Sequence, residues 1–239
     1  GVRGEYSLVD ASAATRRFLA PSLSLGTLYQ LSGPYSLGLN TAFTERAPNY
    51  EELFASGIHQ AAGIFEVGNL DLKSEIGRSA EVSLRRKAGK MEARATAFVQ
   101  DFTRFISLIP NGSFQNNFAV YAFRPISAVL YGAEFELRER LPWSLWDGVW
   151  EFEGKLDLVR GFNRTDKTFL PRVTPVRETV TLSYRGNAFG AEVEVQRSES
   201  QNQLAANETR TPGFTALNLA ADLPLKTVLG PFQLTARLN

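Results

Sequence analysis

The residues best suited to chemistry lie between Thr44 and Glu75. This stretch holds His59, the single histidine of the 239-residue chain, among several acidic side chains. Imidazole nitrogen and carboxylate oxygen are ligands that divalent metals accept. The carboxylates of the stretch belong to Glu45, Glu51, Glu52, Glu66 and Asp71. His59 is therefore a candidate metal ligand, and the competing interpretation is a solvated histidine in a structured loop.

The rest of the sequence offers no catalytic arrangement. The chain has no cysteine, and it contains neither a Gly-x-Ser-x-Gly nucleophile elbow nor a glycine-rich phosphate loop. We therefore expect no enzymatic activity and no cofactor. The 26 basic and 25 acidic residues give a net charge of +1. Because neither sign forms a long block, we expect no nucleic-acid partner.

The elements that flank and position this stretch are predicted strands. Apolar and polar residues alternate with a period of two, for example from Leu23 to Leu31 and from Trp150 to Leu158. The pattern predicts about eleven strands of roughly 9 to 15 residues, longer than the ~5 to 6 residues typical of soluble sheets. No run approaches the ~18 consecutive apolar residues of a membrane helix. The predicted fold class is all-β and antiparallel.

The predicted connections alternate between short turns and long polar loops. Short turns are predicted at residues 32–34, 88–90 and 185–187 and near Pro142 and Leu225, whereas long loops are predicted to begin near Asp10, Glu45, Pro110, Gly161 and Arg197. This asymmetry between the two ends of the strands is typical of up-and-down outer-membrane barrels.

Alternation alone does not distinguish a lipid-facing apolar face from one that covers a soluble core. Strand length, loop asymmetry and aromatic residues near strand ends favour a transmembrane barrel. The aromatic residues are Tyr35, Phe43, Tyr131, Trp150, Tyr184 and Phe232. The charged residues predicted to form the lumen wall are Glu134, Glu136, Arg138, Glu151, Glu153, Lys155 and Asp157. An odd number of strands leaves open edges, so we expect a closed barrel to need strands from outside this chain.

Two linked motifs then indicate a family. A strand ends in Arg-x-Pro-x-x-x-Glu-Leu-Phe, and Gly-Asn-x-x-Leu-x-x-Glu precedes the returning strand. The residues are Arg46, Pro48, Glu52, Leu53, Phe54, Gly68, Asn69, Leu72 and Glu75. This pair of motifs resembles the TonB-dependent outer-membrane receptors, and the segment His-Gln-Ala-Ala-Gly-Ile-Phe-Glu from His59 resembles the branch that includes zinc receptors.

The resemblance implies a barrel of about 22 strands. Residues 1–239 would be a partial barrel domain in which the plug, the first barrel half and the last strand are absent. It also implies a bacterial outer-membrane location with the long loops extracellular. The implied partners are outer-membrane lipid, the plug of the same protein, the TonB energy-coupling complex and a small-molecule or metal ligand. The implied function is energy-coupled uptake of a scarce nutrient such as a metal, a siderophore or haem.

Two roles are expected within the motif stretch. Arg46, Pro48, Leu53, Phe54, Gly68 and Asn69 are predicted to build the loop, with a short helical turn at residues 50–55. Glu52, His59, Gln60 and Glu66 are the predicted ligand contacts. Two alternatives remain at this point: an outer-membrane pore or enzyme of ~12 to 14 strands, and a soluble β-sandwich that binds a partner.

Overall fold

The computed structural model describes residues 1–11, 14–227 and 230–238, without the side chains of residues 225–233. The elements are β1 (Val2–Ala11), β2 (Ala14–Gln30), β3 (Tyr35–Arg46), α1 (Tyr50–Phe54), β4 (Ser56–His59), β5 (Ile64–Val67), β6 (Glu75–Ala88), β7 (Met91–Gln115), β8 (Phe118–Arg140), the 3-10 turn η1 (Leu145–Asp147), β9 (Val149–Asn163), β10 (Thr168–Phe169), β11 (Arg177–Arg185), β12 (Gly190–Ser198), β13 (Phe214–Thr227) and β14 (Gly230–Leu238). Within these residues no helix is long and apolar enough to cross a membrane.

The strands form one antiparallel meander. Eleven of them follow each other in the order β1-β2-β3-β6-β7-β8-β9-β11-β12-β13-β14, and the short strands β4, β5 and β10 lie off this path. The prediction of about eleven long strands in an all-β fold is thus confirmed. We call the end at which β2–β3, β6–β7, β8–β9 and β11–β12 are connected the short-turn end, and the opposite end the long-loop end.

Two predicted loops at the long-loop end are wrong. The expected long loop near Asp10 is absent because β1 and β2 stay paired as far as Ala11 and Ala14. The expected loop from Pro110 to Asn117 is mostly strand: β7 and β8 continue to a two-residue turn at Asn116 and Asn117. Both asparagines have positive φ, 52° and 67°, the conformation that two-residue hairpin turns require and asparagine tolerates.

Strand β7 accommodates this extension through two irregularities. Its pairing with β8 shifts between Phe102 and Phe105 and again between Pro110 and Phe114. The first shift is a β-bulge, in which one extra residue of β7 re-phases the alternation of its side chains. The second shift accommodates Pro110 and Gly112 within the strand, although these residue types are typical of loops. The β7–β8 hairpin therefore rises well beyond its neighbours.

One face of the sheet is apolar and open. Nine of its large side chains have exposed fractions from 38% to 74%: Leu25, Leu39, Val82, Val99, Phe135, Leu156, Val180, Val195 and Leu217. No second sheet covers them in the described part of the chain. A soluble sandwich would bury this face against protein, so the sandwich alternative is wrong. An exposed apolar band of this kind suits contact with lipid hydrocarbon.

Aromatic rings cluster where this apolar face meets the short-turn end. The turn between β8 and β9 brings Trp146 to 5.7 Å from Tyr184 and 5.9 Å from Phe189, between ring centroids. The hydroxyl of Tyr184 donates a hydrogen bond to the carbonyl of Trp146 over 2.5 Å. A Cβ on Gly148 would lie 2.2 Å from the Tyr184 ring, so the chain passes directly over it. The turn is folded against the apolar face.

We predict that this aromatic cluster lies at a bilayer interface, where tryptophan is favoured because it is apolar with one polar edge. All three tryptophans of the chain, Trp143, Trp146 and Trp150, belong to it. The measurement is the tryptophan fluorescence of the full-length protein in bilayers that contain lipids brominated near the headgroup. Replacing all three tryptophans with phenylalanine should remove a part of the fluorescence that these lipids quench. If the fluorescence lost in this variant is instead quenched only by iodide in the aqueous phase, the three tryptophans do not lie at the interface.

Candidate functional site

The family-like motifs converge at the long-loop end, in the segment between β3 and β6, which we call the 47–74 loop. Its two ends are adjacent because Arg46, the last residue of β3, pairs with Glu75, the first residue of β6. The loop therefore leaves and re-enters the sheet at one place. Its internal contacts determine where its tip lies.

Arg46 holds the base of the loop through two carboxylates. Its guanidinium lies 3.0 Å from each carboxylate oxygen of Glu52 and 3.2 Å from Oε2 of Glu75. The same Oε2 of Glu75 accepts the backbone N–H of Ile106 in β7, at 2.9 Å. Burial disfavours the Arg46 charge, but the hydrogen bonds and charges of Glu52 and Glu75 outweigh it and raise the pKa of Arg46 above its ordinary value. One cation thus joins β3, α1 and β6.

Helix α1 begins in a complete capping box. The Asn49 side chain accepts the backbone N–H of Glu52 at 2.8 Å, and the Glu52 carboxylate accepts the backbone N–H of Asn49 at 2.8 Å. These two bonds satisfy donors that a helix start leaves free. Pro48 is fully buried just before the cap. The predicted short helical turn is present, and its cap uses the carboxylate that also binds Arg46.

The second motif packs on the end of α1. The N–H of Gly68 donates to the Ala55 carbonyl at 2.6 Å, and the N–H of Asn69 donates to the Glu52 carbonyl at 2.9 Å. A Cβ at residue 68 would lie 2.6 Å from the backbone C and O of Leu53. Only glycine therefore permits this approach. The two motifs, which are separate in the sequence, form one unit.

An apolar cluster ties this unit to the barrel wall. Leu53 and Leu72, each 1% exposed, pack with Phe18 of β2 and Ile106 of β7, and Phe54 contacts the cluster from its edge. Burial of two leucines on this scale stabilises the loop by several kcal/mol relative to an open state, at about 1.5 to 3 kcal/mol per side chain. The sequence did not indicate Phe18 or Ile106, because neither lies in a motif.

The tip of the loop is the β4–β5 hairpin, which carries three of the predicted contacts. Nδ1 of His59 lies 2.7 Å from Oε1 of Glu66 across the hairpin, and Gln60 is exposed in its turn. Strand β5 pairs in parallel with β8, from Ile64 opposite Ala119 to Val67 opposite Ala122. The hairpin is therefore fixed to the raised part of β8.

The other carboxylates of the stretch do not gather around His59. Glu52 faces Arg46 instead, and both of its oxygens are engaged. Among the described residues no group of three or more His, Cys, Asp or Glu side chains is arranged to hold a metal ion. The arrangement at the hairpin tip is thus a pair, His59 with Glu66.

The charges predicted for the lumen wall all lie on the face opposite the apolar band. Glu134, Glu136 and Arg138 of β8 stand opposite Asp157, Lys155 and Glu153 of β9, and Arg140 stands opposite Glu151. Residues directly opposite in an antiparallel pair share a face. Arg138 lies 3.5 Å from Glu151 and 3.3 Å from Glu153, and Lys155 lies 2.6 Å from Glu153. Residues of opposite charge therefore form salt bridges along this face.

A cleft of about 570 Å³ opens beside the 47–74 loop. Its walls come from β5, the β7–β8 hairpin, β9 and the loops that precede β11 and β13. The lining residues are Ile64, Phe105, Ile106, Ser107, Leu108, Tyr121, Leu130, Val159, Leu170, Pro171, Arg172, Val173, Thr174, Ala206, Asn207 and Glu208. The size is that of small-molecule sites, which are mostly apolar with a few polar groups.

Known proteins share this architecture. The profile of the family described as TonB dependent receptor-like, beta-barrel matches residues 1–239. The chain belongs to this family. Its members are outer-membrane receptors and transporters coupled to TonB, not enzymes, and they take small-molecule ligands.

Solved structures agree on the fold. The copper transporter OprC is 21% identical, with 87% of this chain and 32% of that chain covered at a TM-score of 0.74. The ferric citrate transporter FecA is 18% identical, with 90% and 32% covered at 0.68. The FrpB iron transporter from Neisseria meningitidis is 16% identical, with 87% and 32% covered at 0.61. The chain spans about a third of the length of these proteins.

Proposed function

We propose that this TonB-dependent receptor chain supplies barrel wall and outer loops of a transporter that imports a scarce nutrient: a metal, a metal chelate such as a siderophore or haem, or a similar small ligand. The observation that carries the proposal is the family match over residues 1–239. The similar structures named above are transporters of copper, ferric citrate and iron, which supports the same class of ligand. The zinc-receptor branch stays a prediction.

In this proposal the long-loop end is extracellular and the 47–74 loop helps to capture the ligand. Arg46, Pro48, Leu53, Phe54, Gly68 and Asn69 build the loop. Glu52 joins them, because its oxygens are occupied by Arg46 and by the helix cap. The exposed hairpin tip leaves His59, Gln60 and Glu66 as the contacts that a ligand or metal would meet first.

The polar face is proposed to line the lumen and to contact the plug of the full-length protein. Its salt-bridged row around Arg138, Glu153 and Lys155 carries both signs. Such a wall favours fixed contacts with a folded plug over a path selective for one sign of ion. The plug would in turn connect the receptor to TonB at the inner membrane.

Uptake by the full-length protein tests the proposal. In a receptor-deficient strain starved of metal, expression should restore import of a radiolabelled metal or chelate only when TonB is present. A diffusion pore would admit the solute equally without TonB, and an outer-membrane enzyme would give no import. In the same assay His59→Ala should lower the uptake of free metal. Gly57→Ala is the control in the same hairpin, because a Cβ at residue 57 meets nothing within 4 Å.

A further inference from the structure

The charged side chains that line the cleft beside the 47–74 loop balance each other. Arg172 and Glu208 are the only charged side chains among its sixteen lining residues. The Glu208 carboxylate is already engaged, because its two oxygens accept the backbone N–H groups of Arg172 at 3.1 Å and of Ala205 at 2.9 Å. The cleft therefore presents one cation and one occupied anion, with no net charge.

A smaller cavity of about 200 Å³ continues the cleft and is neutral in the same way. It shares Leu108, Tyr121 and Ala206 with the cleft. Its two charged side chains form an ion pair, Arg124 to Asp166 at 2.6 Å, and Asn163 donates a second hydrogen bond to that carboxylate at 2.8 Å. An incoming anion would have to break this pair to obtain a cation.

The walls are organised before any ligand arrives. Gln201, in the loop before β13, donates a side-chain hydrogen bond to the Val173 carbonyl in the loop before β11. Leu170 is buried with Ile126 and Ala128 of β8. Two non-glycine residues of the loops, Arg172 and Asn207, hold positive φ of 59° and 65°. Such conformations persist where surrounding contacts enforce them, and they concentrate at binding sites.

We infer that this cleft binds a metal chelate of zero net charge through the apolar exterior of the chelate, and that it disfavours polyanionic chelates. The inference rests on the proposed function and narrows its ligand class. A polyanion would need several free cationic groups, usually arginines, to replace its hydration. The aromatic and aliphatic walls provided by Phe105, Leu108 and Tyr121 instead match a neutral, apolar surface.

Direct binding to the purified full-length receptor tests this. The probes are a neutral ferric tris-hydroxamate and a ferric tris-catecholate with three negative charges, compared by titration in detergent. We expect the neutral chelate to bind at least 10-fold more tightly. Ala206→Asp, an exposed lining position, should weaken binding of the neutral chelate at least 10-fold. Phe114→Asp, on the β7–β8 hairpin that forms another wall, lies outside the cleft, is 76% exposed and should change binding less than 2-fold.

Two results would overturn the inference. One is tighter binding of the tris-catecholate, and the other is binding of the neutral chelate that Ala206→Asp does not affect. Failure of both probes to bind would overturn it as well. None of these results touches the proposed function, which depends on TonB-dependent import and not on the charge of the chelate.

Discussion

Replacing Arg46 with alanine is expected to release the 47–74 loop while the barrel stays folded. The change leaves two largely buried carboxylates, Glu52 and Glu75, without their cation. Breaking a buried pair costs about 3 to 5 kcal/mol. Arg46 is itself 44% exposed, so we expect about 2 kcal/mol after solvent screening.

Hydrogen exchange on the full-length receptor measures this effect directly. The N–H of Asn69 bonds to the Glu52 carbonyl, so its protection reports the closed loop. We expect protection to fall about 30-fold, which corresponds to about 2 kcal/mol of local opening. Arg3→Ala is the matched control because Arg3 pairs with Glu5 on the exposed surface, at 77% exposure, where an ion pair contributes at most about 1 kcal/mol. Equal protection in the two variants would contradict the role given to Arg46.

Replacing Gly68 with alanine is expected to open the same unit from its other side. The new Cβ would lie 2.6 Å from the backbone of Leu53 and Ala55, and backbone atoms have no rotamer with which to move away. Overpacking of this kind costs about 1 to 3 kcal/mol. We expect the upper part of that range, with loss of the Gly68 and Asn69 hydrogen bonds to α1.

Limited proteolysis of the full-length receptor provides the measurement. Cleavage within the 47–74 loop should become at least 10-fold faster in Gly68→Ala. Gly57→Ala is the control, since a Cβ at residue 57 meets nothing within 4 Å and lies in the same loop. If both variants resist protease as the parent protein does, then the close approach of the second motif to α1 is not what holds the loop.

Part of the fold could be predicted from the sequence because its signals are local. Alternation with a period of two is visible along each strand, and it separated the faces that Phe135 and Glu136 occupy. The turn between β6 and β7 contains Gly89, which has a positive φ. A glycine between two strand patterns is a local signal for such a turn. The sequence predicts a loop in place of the upper β7–β8 hairpin, because Pro110 and Gly112 are typical of loops. The structure accommodates both residues in β7 through the second register shift.

The residues of the candidate site could be predicted from the sequence less well than the strands. The sequence predicts Glu52 as a ligand contact because it is a carboxylate close to a histidine along the chain. Its actual partners, Arg46 and the cap at Asn49, depend on the return of the loop to β6. The cleft joins Ile64, Tyr121 and Glu208, which are far apart in the chain. No local pattern indicates that these residues meet.

The stretch from Thr44 to Glu75 shows which features depend on the sequence alone and which depend on the tertiary structure. The sequence by itself determined the strand pattern on either side and the family, because alternation and motif spacing are properties of the chain alone. The tertiary structure decided which carboxylates face Arg46, which one meets His59, and that a neutral cleft adjoins the loop. Charge pairing and burial act between elements that are distant in sequence, and only the folded sheet brings those elements within a few ångströms of each other.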